Sequence, residues 1–96
     1  MIIPISKTIL NQNDINNVSK TLESGWLVQG PKVKEFEDQW SNFTKAKYSI
    51  AVTSCTTAMY LSLVALGFKK GDEAIVPALT WISTANVVEQ LGGRVI

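Results

Sequence analysis

From Tyr48 to Ile96 the chain alternates short apolar runs with helical patterns, and this alternation narrows the possible folds more than any other feature of the sequence. Tyr48–Val52, "YSIAV", is rich in strand formers and free of charge, as expected of a strand buried on both faces. A helix is predicted from Thr56 to about Leu66, stopped by Gly67. "KKGDEAIVP" supplies a turn at Gly71-Asp72 and a second buried strand, Ala74 to Val76. A further helix, capped by Thr80 or Ser83, runs through Val87 and Val88 to Leu91, and "GGRVI" turns into a third strand. Strand, helix, strand, helix, strand implies a parallel sheet with crossover helices, hence an α/β fold. Such a sheet needs helices on both faces, and too few are available here. The sequence therefore predicts a truncated chain that stops as its third strand begins.

Upstream, "NQND" is a helix-capping cluster, and Ile15, Val18 and Leu22 recur on one face of a helix that ends near Ser24, with Gly25 as its stop. Gly25 to Gly30, "GWLVQG", reads as a loop. Pro31 suits the first turn of the next helix because its missing N–H has no intrahelical partner to lose. Val33, Phe36, Trp40 and Phe43 form that helix's apolar stripe, and Phe36, Trp40 and Phe43 are predicted to lie in the core. Lys32, Lys34, Glu35, Glu37 and Asp38 are predicted to form a solvated face.

Composition excludes several classes of function. Nine Lys and Arg against eight Asp and Glu give a net charge of +1 with the basic residues scattered, so a basic nucleic-acid-binding patch has no support. The absence of histidine removes His-based triads and most zinc sites, and no metal ligands are expected. No apolar run is long enough to span a bilayer, and "MIIPISK" lacks the pattern of a signal peptide. With a single cysteine and no internal disulfide, a cytoplasmic location is expected. Cys55 has no histidine to activate it and is expected to be a small buried filler.

"TSCTTAMY" places small polar side chains between a predicted strand and a predicted helix. The first backbone N–H groups of a helix lack internal acceptors, and the helix dipole adds partial positive charge there. Hydroxyls at Ser54, Thr56 and Thr57 can add donors, and small side chains allow a phosphate to come close. Simple capping by Ser54 or Thr56 explains the same residues. Neither the dinucleotide nor the P-loop fingerprint is present.

The runs "SGWLVQGPKVKEFEDQW" and "YSIAVTSCTTAMYLSLVALGFKKGDEAIVPALTWISTANVVEQLGG" resemble the opening portion of the DegT/DnrJ/EryC/StrS family of sugar aminotransferases. Three blocks agree in order and spacing. The resemblance implies the aspartate-aminotransferase-like fold, with residues 1–30 forming an N-terminal helix and substrate-cleft loop and residues 31–96 opening the large domain that binds pyridoxal 5'-phosphate. It places Thr56 and Thr57 on the cofactor phosphate and Trp81 over the pyridine ring. Outside the motif, a core or interface tryptophan would be the simpler reading of Trp81. Ser54-Cys55 stands where the family often has Asn-Gly, so the turn forms without its usual glycine.

Gly25 and Trp26 resemble the segment lining the sugar-nucleotide cleft, although a Trp packed on its own helix fits them equally. Asn86 matches a position that is often polar, and packing or a local hydrogen bond accounts for it. The family scheme implies amino transfer, commonly from glutamate, to a nucleotide-linked keto sugar in a homodimer. The Schiff-base lysine and the acid that pairs with the pyridine nitrogen are expected beyond Ile96, so these residues alone are expected to be inactive. None of the lysines present stands in the family's lysine context, and Asp72 is expected to be a turn former. The alternative is a non-catalytic module, binding a phosphate ligand or serving dimerisation, that keeps the same corner. A generic α/β nucleotide binder is the third reading.

Overall fold

The computed structural model describes residues 3–96 and contains four helices and one pair of strands among them. The chain divides into two compact units, one running to Ala51 and the other from Val52 to Ile96.

The first unit holds α1 (Gln12–Glu23) and α2 (Pro31–Thr44). Asn11 starts α1 with a reciprocal capping box. Its side chain accepts from the N–H groups of Asn13 and Asp14 at 2.8 and 3.1 Å, and the Asp14 carboxylate accepts from the Asn11 N–H at 2.9 Å. Asn11→Ala is expected to cost about 1 kcal/mol of local stability, read as faster amide exchange at Asn13 and Asp14. Gly25, with φ at +70°, takes the chain out of α1 in the left-handed conformation that glycine adopts without strain. Pro31 opens α2 at the predicted position, and Lys45 closes it in the left-handed region.

After α2 the chain turns back along that helix. The Ser41 and Ser49 hydroxyls lie 2.8 Å apart, and the Ala51 N–H donates to the Glu37 carboxylate at 2.8 Å. This corrects the reading of Glu37 as part of a solvated face: it is half-buried and satisfies a backbone donor. Lys32–Glu35 and Lys34–Asp38 do form exposed pairs along α2. Such pairs add little stability.

Tyr48–Val52 joins no sheet among the described residues, contrary to the prediction of a buried strand. A parallel strand is defined by its neighbours, and the described residues provide none for it. Ile50 is 81% exposed. Phe36, Trp40 and Phe43, predicted as core, are likewise exposed, at 56%, 51% and 81%. Their rings make tilted contacts with each other, centroids 6.1 and 6.0 Å apart, and no other layer of this unit covers them.

The second unit contains α3 (Cys55–Ala65), β1 (Glu73–Ala74), α4 (Ser83–Gln90) and β2 (Arg94–Val95). β1 and β2 are parallel, with Glu73 opposite Arg94 and Ala74 opposite Val95. Two further bonds, Ile96 N–H to Ala74 O at 2.9 Å and Val76 N–H to Ile96 O at 3.1 Å, extend the pairing to Val76. This is the β-α-β unit the alternation implied. The Asp72 carboxylate accepts from the Lys69 N–H at 2.9 Å and Gly71 adopts a φ of +92°, so the predicted turn is in place. Val87 and Val88 on α4, each 2% exposed, are the buried hydrophobic residues of the described chain, and α4 packs on α3 and β2 around them.

The start of α4 differs from expectation. Ile82 is its N-cap and no side chain caps it, so neither Thr80 nor Ser83 has that role. Tight turn bonds, Thr84 N–H to Trp81 O at 3.0 Å and Ala85 N–H to Ile82 O at 3.1 Å, close the first turn. Ser83 is buried inside the helix instead.

Candidate functional site

The polar corner at the start of α3 is built by Ser54. Its extended backbone, φ −160° and ψ 161°, ends the incoming segment, and its hydroxyl accepts from the Thr57 N–H at 3.1 Å. Ala58 N–H then makes the first helical bond, to Ser54 O at 3.0 Å. The N–H groups of Cys55 and Thr56 lie between these two and have no acceptor within the helix.

Around the cap, the Thr57 hydroxyl sits 3.0 Å from that of Ser54 and 3.3 Å from that of Thr53. Three hydroxyls sharing two contacts leave one hydroxyl proton free for an outside acceptor. The first turn of α3 carries no acidic residue, so nothing there opposes the partial positive charge of the helix end. Donors at a helix end free of carboxylates suit the phosphate of pyridoxal phosphate. Thr53 belongs to the polar stretch that the sequence singled out, but its hydroxyl was not counted among the donors, and its spacing of four from Thr57 was the available signal. Cys55 is exposed rather than buried, correcting its reading as filler. As the first residue of α3 it stands at the helix tip, where no other part of this unit covers it.

Trp81 lies in the same unit. Its carbonyl is held by the Thr84 N–H, while its side chain is exposed. α3 runs roughly 16 Å at 1.5 Å per residue. The chain then reverses through the Gly67 and Gly71 turns into β1, and α4 begins only after β1 has ended. Ala58 of α3 and Thr84 of α4, each close to the start of its helix, line one groove of about 360 Å³ with Ser62, Ala74 to Val76, Val87 and Val88.

Gly25 and Trp26 belong to the first unit. The Trp26 Nε1–H donates to Gln29 O at 3.2 Å, which folds the ring back over the 26–30 loop. A pocket of about 480 Å³ beside it is lined by Lys20, Thr21, Leu27, Val28, Pro31 and Val33, among others. Asn86 is exposed on α4. Among the described residues no group of His, Cys, Asp and Glu could hold a metal ion, and no helix is long and apolar enough to cross a membrane.

The chain is 46% identical over 90 residues to the spore coat polysaccharide biosynthesis protein SpsC of Bacillus subtilis, covering 94% of this chain and 23% of that protein. Among solved structures it resembles the Streptococcus pneumoniae protein Spr1654 in its PLP-form, assigned as a sugar aminotransferase, with TM-score 0.89 and 36% identity over 98% of this chain and 24% of that one. It also resembles E coli GDP-4-keto-6-deoxy-D-mannose-3-dehydratase with bound hydrated PLP, at TM-score 0.87 and 34% identity, covering 96% of this chain and 25% of that one. The chain thus spans about a quarter of the length of these relatives. The family model of the DegT/DnrJ/EryC1/StrS aminotransferases matches residues 8–96, and the chain belongs to that family.

Proposed function

We propose that these residues are the N-terminal portion of a pyridoxal-phosphate-dependent aminotransferase that moves an amino group, from glutamate, onto a nucleotide-linked keto sugar for amino-sugar and polysaccharide biosynthesis. The observation that carries this reading is the acid-free tip of α3, with two backbone donors and a spare hydroxyl proton, in a chain of this family. The N–H groups of Cys55 and Thr56 and the hydroxyls of Thr56 and Thr57 hold the phosphate. The exposed Trp81 ring covers one face of the pyridine, and Gly25 and Trp26 line the sugar cleft. When bound, the cofactor supplies the electron sink for the chemistry. This segment contributes grip and orientation.

The lysine that carries the cofactor lies beyond Ile96 in this reading. Lys32 and Lys34 are engaged with Glu35 and Asp38 on an exposed helix face, which suits neither for that role. The working protein is a cytoplasmic homodimer, and the 96 residues alone are inactive.

The test is to express the complete coding region and incubate it with glutamate and a panel of nucleotide-linked 4-keto sugars. An aminated sugar with matching 2-oxoglutarate is expected, and its absence across the panel counts against the reading. The similarity to a 3-dehydratase favours a second outcome, a deoxy sugar with no net transfer of nitrogen. Mass spectrometry of the product separates the two.

A further inference from the structure

The Trp26 indole rests directly on Gly30. A Cβ built on Gly30 would fall 1.8 Å from Trp26 Nε1, 2.4 Å from Cδ1 and 2.5 Å from Cε2, far inside contact distance. Gly30 has a φ of −172° and a ψ of −149° and caps α2 without a side-chain hydrogen bond. The Trp26 ring occupies the space that a side chain on this residue would need. Held at its edge by Gln29 O, the indole is seated on the two residues that precede Pro31. Because Pro31 opens α2, that seat is fixed to the start of a helix.

We propose that Gly30 is a positioning residue for Trp26. By lacking a side chain it lets the indole lie on the backbone with Nε1–H on Gln29 O, in the lining of the pocket it shares with Lys20, Thr21, Leu27 and Val28. This rests on the reading that Trp26 lines the sugar cleft. A ring fixed in advance loses little rotamer freedom on binding, whereas a ring displaced by a methyl group must be reordered each time substrate binds.

The test uses the complete protein labelled with 5-fluorotryptophan, the Trp26 resonance being assigned by its loss in Trp26→Phe. Gly30→Ala is expected to shift the Trp26 resonance and to raise KM for the sugar substrate about tenfold with a smaller change in kcat. In the Trp26→Ala background the same substitution is expected to have no further effect on KM, because both changes act through one ring. An unshifted resonance overturns the proposal, as does a KM effect of Gly30→Ala that persists without the indole. If Trp26→Ala leaves KM unchanged while Gly30→Ala still shifts the resonance, the positioning stands and the cleft reading fails.

Discussion

Cys55→Pro in the complete protein is expected to weaken pyridoxal phosphate binding about ten- to a hundredfold while leaving α3 folded, because a hydrogen bond to a charged group is worth about 1.5–3 kcal/mol. Proline removes the backbone N–H at this position and exchanges the thiol for a ring, so Cys55→Ala is the control for the side chain. Cys55 is the first residue of α3, where proline fits the helical φ and the lost donor has no helical partner. Ser54 precedes it with an extended backbone, as proline requires of its neighbour. The helix is thus preserved and its anion-binding end is altered.

Titration of the apo-protein with cofactor gives the affinity, and circular dichroism checks the helix. Unchanged affinity removes the α3 tip from the phosphate site. An equal loss in Cys55→Ala transfers the effect to the thiol. Thr56→Val combined with Thr57→Val removes hydroxyls and keeps the backbone donors, so a partial loss is expected from that pair. Comparing the two variants measures how the grip divides between main chain and side chain.

Gly93→Ala is expected to destabilise the complete protein by about 1–3 kcal/mol, the usual cost of forcing extra atoms into a packed site. An added Cβ would lie 2.4 Å from Cε1 of Phe68 and 3.0 Å from the carbonyl oxygen of Asp72. The Phe68 ring can move, but the carbonyl cannot move freely. Asp72 O already accepts from the Arg94 N–H at 2.8 Å, the bond that sets β2 beside β1, and the Gly93 N–H is tied to Val88 O at 3.0 Å. Pushing Gly93 away therefore strains the end of α4 and the strand pairing together. Chemical denaturation measures the loss, and in a Phe68→Ala background the cost is expected to shrink because the ring part of the clash is gone. A neutral Gly93→Ala means that this junction is looser than its hydrogen bonds imply.

Local structure was legible in the sequence wherever a single residue type decides it. The capping cluster at Asn11, the exits at Gly25 and Gly67, Pro31 at the head of α2 and the Gly71-Asp72 turn all stand where residue chemistry put them. Each depends on neighbours within four positions, and the sequence contains those neighbours. The donors of the α3 tip were legible for the same reason, since a helix end after a short polar run leaves its first N–H groups free whatever surrounds it.

What only the tertiary structure decided depends on distant partners. Tyr48–Val52 has the composition of a buried strand, yet a strand needs another to pair with, and no strand among the described residues reaches it. Phe36, Trp40 and Phe43 have the spacing of a core stripe and remain exposed, because spacing selects the face to be covered and cannot supply the cover. Glu37 reads as a surface charge until the chain folds back and sets the Ala51 N–H against it. Composition and short-range spacing fix backbone conformation through local sterics and hydrogen bonds. Burial and contact come from segments far apart in the chain, and only the folded arrangement brings those together.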